Sequence, residues 1–506
     1  MNATNAQTSN TGSPLTSLLA MGTFAGALAV GLATMIATNQ PLLAVAAGIA
    51  ALGTVAAISS TEASIYAVIT IGCMDGLIKG IYPGMFTVLL KDMYLMLALL
   101  HWIWDGMNGV GRTSLQTRVA VPAIMFILYC VAQMFNSENM SGLLALAGLR
   151  SWVIWIPIFF IAYDSITTRR QFERLLMFIA FISSTTGIYI IVQGQIGYDH
   201  LLAINSSFDF YARFQNNDLF RAPGSYVHPG VAGATMSYAA VVCMACALAA
   251  RPFSLVQILL LISGPICVVA MAATGGRAPL VGAVFGVVAF IIMARRPQLL
   301  VGLFILAIIG LWQADVYVGR MMSARYSQSR LNIPAIVDRA IEPLGTGFAM
   351  LSKYPLGTGV ASGAGTGRAY GMIEEEMSVK GETAVMIENE FGRAMKELGL
   401  PGFGLFIWLL WRAMTSAATG LSGGNRRDGL LAAGLVAGAI NLSIQLMVGS
   451  ALYLAPAGTY FWLSCALASR MPSYAEQERI ELEGRDEEQI KAWDELMASM
   501  EKPPAA

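Results

Sequence analysis

Apolar runs of about twenty residues recur along most of this chain, separated by short stretches that carry the charges. A helix rises about 1.5 Å per residue, so such a run matches a lipid hydrocarbon core about 30 Å thick. Only 12% of the 506 residues are charged, against roughly 25% in soluble domains, and the mean hydropathy is +0.62. The chain is therefore expected to be all-α, a polytopic membrane helix bundle of about 12–14 spans. Lys and Arg balance Asp and Glu at 31 each, which removes any global attraction to nucleic acid.

Hydropathy places spans near 15–38, 41–60, 63–82, 86–105, 119–136, 146–166, 173–193, 228–250, 254–273, 277–294, 298–317, 395–416, 429–449 and 452–470. Asp75 and Lys79 interrupt the third, and Lys91 with Asp92 the fourth. Ionisable groups inside a span face the bundle interior and pair, so a structural Lys–Asp contact is expected ahead of a substrate role. Arg112, Arg118, Arg169, Arg170, Arg174, Arg251, Arg295, Arg296, Arg426 and Arg427 fall in loops on one side. By the positive-inside rule that side, with both termini, is cytoplasmic. The expected location is a bacterial inner membrane, with 194–227, the turn at 274–277 and the loop 319–394 on the periplasmic face.

Residues 1–470 are read as the integral bundle, including that one large extracytoplasmic loop, and 471–506 as an acidic cytoplasmic tail with ten acidic and four basic residues between Glu476 and Lys502. The first apolar run is long and lacks a basic flank, so it reads as a retained helix. The six cysteines all lie in apolar runs; Cys243 and Cys246 read as small buried side chains. With His101, His200 and His228 the only histidines, no histidine-based metal motif is available, and no cofactor is expected.

Most of the uninterrupted polar sequence is in 319–394, which contains SKYPLGTGVASGAGTG and runs into IENEFGRAMKELGLPGFGLF. Gly357 and Gly359 give the backbone freedom to aim N–H groups at an oxyanion. Glu388, Asn389 and Glu390 precede a span, where polar groups meet both water and lipid. Arg150, Arg221, Arg277 and Arg393 lie at the same ends of their spans. The planar guanidinium fork suits a diphosphate at the lipid–water boundary; taken singly, each also reads as an interfacial snorkelling arginine.

RAPGSYVHPG at 221–230 has the form R-x-x-G-x-x-x-x-P found before a span in the O-antigen ligase and O-antigen polymerase superfamily. TGGRAPLVGA resembles that superfamily's T-G-S-R-G-A segment, KYPLGTGVASG its P-x-x-G-x-G stretch, and ENEFGRAMKELGLPGFGLF its loop-closing segment with E-x-G-x-x-G. The four motifs occur in the family's order between residues 221 and about 410. The resemblance implies a glycosyltransferase C-like bundle that moves a saccharide from undecaprenyl diphosphate to an acceptor sugar hydroxyl, with inversion and without a metal. The product would be O-antigen or exopolysaccharide. Partners would be the polyprenyl-diphosphate-linked donor, a glycan or lipid-linked acceptor, the bilayer, and other polysaccharide-assembly membrane proteins.

By position Arg221 and Arg277 match arginines around the donor diphosphate. Asn389, Glu397, Gly399 and Gly402 match the loop-closing segment. Glu388 stands where the family often has His, as the expected base, which favours a polymerase over a ligase. Arg150, His228, Gly357, Gly359, Asn389, Arg393 and Glu397 complete the expected substrate-binding set. Two other classes compete: a transporter or flippase of lipid-linked saccharide, and a non-catalytic assembly protein of the same fold.

Overall fold

The computed structural model describes residues 60–295, 333–362, 387 and 389–500, apart from 82–84, 110, 140–141, 205, 207, 210–214, 217–218, 361, 423–425, 448, 450–451 and 453. The expected spans 15–38 and 298–317, nearly all of 41–60, and Glu388 lie outside the described residues.

The described helices are α1 (Thr61–Ile81), α2 (Met85–Met107), α3 (Ala120–Gln133), α4 (Gly142–Val153), α5 (Pro157–Ser165), α6 (Arg169–Ile196), α7 (Asp199–Ile204), α8 (Pro229–Ala249), α9 (Leu255–Ala273), α10 (Arg277–Ala294), α11 (Ile333–Lys353), α12 (Glu390–Ala418), α13 (Arg426–Gln445) and α14 (Ala457–Met500). The described strands are a two-residue antiparallel hairpin, Gln215–Asn216 against Leu219–Phe220, just before Arg221.

Seven of the described helices are long and apolar enough to cross a membrane: α1, α6, α8, α9, α10, α12 and α13; α4 and α5, bent by 42°, would make an eighth. The chain is a multi-pass helical membrane protein. Several expected spans differ in detail. The one at 86–105 is helix α2, with Lys91 and Asp92 in its second turn. The one at 119–136 is the 14-residue α3, about 21 Å long and short of a full crossing. The one at 146–166 bends between α4 and α5 because Pro157 has no N–H to continue the helix. The run at 452–470 continues without interruption through the expected tail boundary as α14; Met471 and Tyr474 are buried, and the Tyr474 hydroxyl donates to the Ile166 carbonyl at 2.6 Å.

Helix α8 is the centre, with nearly every residue buried. Small residues let its neighbours close in: a Cβ at Gly438 of α13 would lie 2.6 Å from Val242 and 2.7 Å from Tyr238. Polar pairs then bridge the helices. Asn441 donates to Ser237 at 3.2 Å, Gln445 donates to Asn441 at 2.8 Å, and the Tyr238 and Ser464 hydroxyls share a bond of 2.6 Å.

The connections sort to two ends. At one end Arg169 pairs with Asp428, Arg427 with Glu173, Arg174 with Glu62, and Arg470 donates to Thr113. These tie together the arginine-bearing connections that hydropathy assigned to a common side. The other end, called the site end below, gathers the last turns of α1, α9 and α13, the first turns of α10, α12 and α14, the 221–228 loop and the 354–360 turn.

Candidate functional site

Arg221 and Arg277 belong to segments that meet at the site end. The Arg221 Nε donates to the Thr274 carbonyl at 3.2 Å, which fixes the 221–228 loop to the α9–α10 turn. That turn needs Gly275 at φ +60 to reverse the chain, and Arg277 opens α10 directly after it. The 221–228 loop is buried from Ala222 to Tyr226. Its Ser225 hydroxyl donates to the Cys73 carbonyl at 2.6 Å, and its carbonyl accepts the N–H groups of Gly76 and Leu77 at 2.9 and 3.0 Å. The loop is thus pinned on α1 on one side and on the α9–α10 turn on the other. His228 closes it as the α8 cap, with Nδ1 accepting the Gly230 N–H at 2.8 Å and Pro229 pre-set at the first helical position. His228 thus has a capping role in this structure.

The second group lies at the start of α12. Asn389 is its N-cap: Oδ1 accepts the Gly392 N–H at 2.6 Å, Nδ2 donates to the Met447 carbonyl at 3.2 Å, and the side chain is buried. Asn389 therefore fixes where α12 begins, against the end of α13. One turn on, Arg393 donates to Glu397 Oε1 at 3.0 Å and to the Ser151 hydroxyl at 2.7 Å, with its guanidinium 4.7 Å from the Trp152 ring centre. The other Glu397 oxygen accepts the Trp152 indole N–H at 2.7 Å. Glu397 is buried and held by two donors, so it serves as the anchor of Arg393. A cleft beside it is bounded by Arg393, Glu390, Trp155, Trp462, Phe406 and Leu452. Glu390 accepts the Leu452 N–H at 2.8 Å on one carboxylate oxygen.

Arg150 departs from expectation. It lies in the last turn of α4, about 12 Å below the helix start, and its guanidinium is paired with Asp92 of α2 through both carboxylate oxygens. The neighbouring residues Ser151 and Trp152 are the ones that reach Arg393 and Glu397. Asp92, Ser151 and Trp152 are not among the expected site residues. The signals present were an acid and an arginine on neighbouring spans, and a polar–aromatic pair directly after Arg150.

Gly357 and Gly359 do not offer their N–H groups to an anion. Pro401 cannot donate to the Glu397 carbonyl, and α12 breaks at Gly399, where φ is 66° and ψ −170°. The Pro355–Gly359 turn supplies the missing donors. Thr358 N–H donates to the Lys396 carbonyl and Gly359 N–H to the Glu397 carbonyl, both at 3.0 Å, while the Leu400 N–H turns to the Pro355 carbonyl at 2.9 Å. The Tyr129 hydroxyl meets the Leu398 carbonyl at 2.9 Å. The Gly357 N–H closes its own turn on the Tyr354 carbonyl at 2.9 Å. A Cβ at Gly357 would fall 2.5 Å from the Glu397 carbonyl oxygen, and one at Gly399 only 2.3 Å from the Gly357 nitrogen. Gln133 and Asn136 hold the turn from behind, donating to the Leu356 and Gly357 carbonyls at 2.6 and 3.1 Å.

The geometry therefore separates the nine expected site residues that are described. The segments that carry Arg221 and Arg277 meet at one place, and Arg393 and Glu397 pair at another. Arg150 is tied to Asp92; Gly357, Gly359, Asn389 and His228 build the backbone around them. Among the described residues no group of His, Cys, Asp or Glu could hold a metal ion. No protein-family model and no curated protein matches this chain.

Proposed function

We propose that the chain is a membrane glycosyltransferase of the O-antigen ligase and polymerase kind, with a glycosyltransferase C-like bundle. It transfers or polymerises a saccharide from a polyprenyl-diphosphate donor into surface polysaccharide, with polymerisation favoured. The observation that carries the reading is the Arg221–Thr274 hydrogen bond. It brings together two segments, RAPGSYVHPG and TGGRAP, whose arginines are 56 positions apart in sequence (277 − 221). Two guanidinium groups at one end of a bundle suit a diphosphate in a low-dielectric setting.

In the proposed reaction the acceptor hydroxyl oxygen bonds to the anomeric carbon from the side opposite the diphosphate. The bond from that carbon to the phosphate oxygen breaks, and the electron pair leaves with the prenyl diphosphate. The hydroxyl proton passes to a carboxylate, for which Glu388 is the proposed base. Arg221 and Arg277 carry the charge of the leaving group, and general-base help supplies the remainder. The active face is periplasmic, at the site end.

A second reading is favoured by one observation. The α4–α5 bend and the α12 break at Gly399 face each other through Arg393–Ser151 and Trp152–Glu397, and apposed broken helices also suit a transporter of lipid-linked saccharide. The deciding experiment is purified protein with a synthetic prenyl-diphosphate oligosaccharide. New glycosidic linkage together with released prenyl diphosphate supports the transferase. Donor binding and bilayer crossing without either product supports the transporter and overturns the first reading.

A further inference from the structure

One charged cluster is not absorbed by the reading above. Asp75 Oδ2 accepts hydrogen bonds from both Lys79 Nζ at 2.9 Å and Lys91 Nζ at 2.8 Å. The Lys91 and Asp75 side chains are 8% and 7% exposed, and Lys79 is 19% exposed. Asp92, the next acid along the chain, is taken by Arg150. Among the described residues no other carboxylate pairs with either lysine, so two ammonium groups share one carboxylate within a pair of apolar helices. A surplus cation in such a place is costly unless an anion completes it.

The two lysines differ in what they do for the fold. Lys91 reaches across from α2 to α1 and by itself both neutralises Asp75 and joins the helices. Lys79 sits four residues after Asp75 on the same helix, so its bond joins no second element. It is also the more exposed of the two and stands in the last turn of α1. In the turn before it, Gly76 and Leu77 pin the 221–228 loop through the Ser225 carbonyl. Lys79 therefore continues toward the site end from the same contact that holds the Arg221 loop.

We propose that Lys79 is a third cation for the donor diphosphate, matched to the charge that appears when the sugar leaves. This rests on the transferase reading above. A saccharide-linked prenyl diphosphate is esterified at both ends and carries two negative charges, which Arg221 and Arg277 balance. When the bond from the anomeric carbon to oxygen breaks, the electron pair stays on the terminal phosphate and adds a third charge, while the acceptor proton goes to the base. An ammonium on a flexible stem, in the turn of α1 that follows the contact with the 221–228 loop and bonded within its own helix to Asp75, meets that third charge.

The test compares two probes at pH 8 in the full-length protein in nanodiscs: farnesyl diphosphate, whose terminal phosphate is free and close to fully ionised, and difarnesyl diphosphate, esterified at both ends. Wild-type protein is expected to favour the free diphosphate, and Lys79→Gln to lose that preference by on the order of tenfold, while Lys79→Arg keeps it. Asp75→Asn, which releases Lys79, is expected to increase the preference, and this carries the test alone should Lys79→Gln fail to accumulate. An unchanged ratio of the two affinities in Lys79→Gln, or in Asp75→Asn where only that variant is obtained, overturns the role of Lys79. Failure of wild-type protein to bind either probe instead overturns the transferase reading beneath it.

Discussion

Replacing Gly399 with Ala is expected to free the 354–360 turn from α12. At φ 66° and ψ −170° the backbone occupies a region that is open essentially to glycine alone. A non-glycine residue there costs roughly 1–3 kcal/mol in strain. The added Cβ would also lie 2.3 Å from both the Leu356 carbonyl carbon and the Gly357 nitrogen. These are backbone atoms, so the turn must move away. Moving it breaks the Thr358–Lys396, Gly359–Glu397 and Leu400–Pro355 hydrogen bonds, each worth about 0.5–1.5 kcal/mol net. A central value of about 5 kcal/mol shifts local opening by a factor of roughly several thousand. Gly404→Ala is the control: it sits on the exposed side of the same helix with nothing within 4 Å of an added Cβ, and Ala there gains about 0.5–1 kcal/mol of helix propensity. Limited proteolysis of the 354–362 region in detergent, read as cleavage rate beside thermal denaturation, compares the two. If Gly399→Ala and Gly404→Ala resist cleavage and heat equally, the interlocked turn is not what holds this helix break.

Arg221→Ala and Arg277→Ala are each expected to reduce transfer by about 10- to 150-fold, from the loss of a charge-assisted contact of roughly 1.5–3 kcal/mol, and Lys is expected to restore little because it lacks the fork; full product formation at normal membrane levels would make that arginine structural. A cysteine at Ser352, exposed on α11, is expected to react with an impermeant maleimide in whole cells while one at Arg251 stays protected; the six native cysteines are all buried and supply little background, and equal labelling at the two positions would reject the two-faced arrangement. Glu388→Gln is expected to retain donor binding and lose turnover, with partial recovery in Glu388→His, since an amide has no basic lone pair to take the acceptor proton; wild-type turnover in Glu388→Gln removes it as the base.

Hydropathy located helix ends well where punctuation was local. The run at 277–294 coincides with α10, because Gly275-Gly276 and Arg295 bracket it. The starts of α8 and α9 fall within a residue of their expected positions, where Pro229 and the Ser254 cap mark them. The start of α12 lies five residues ahead of its hydropathy boundary (390 against 395), because its first turns carry the polar Glu390 and Arg393 behind the Asn389 cap. What no hydropathy profile holds is the rotation of each helix about its axis. Asp92–Arg150 and Trp152–Glu397 join residues 58 and 245 apart, and those contacts exist only once the facing sides are chosen. Gly357 and Gly359 misled for a different reason. Freedom at positive φ serves an anion cradle and a helix plug equally well, and only the destination of the N–H groups distinguishes them.

That destination also accounts for why P-x-G-x-G (Pro355–Gly359) and E-x-G-x-x-G (Glu397–Gly402) occur together in this chain. A helix entering lipid leaves no backbone group unsatisfied without heavy cost, yet Leu400-Pro401 removes the regular partners of Lys396 and Glu397. Their carbonyls are met instead by Thr358 and Gly359, donors from a segment outside the spans. The first two turns of α12, which carry Arg393 and Glu397, are consequently held on their backbone by the turn and on their side chains by Trp152 and Ser151. Movement of the 354–360 turn therefore changes the carbonyl bonding of Glu397 and, through its carboxylate, the position of Arg393. The loop acts on the cleft by holding its arginine in place, without contributing a side chain to it.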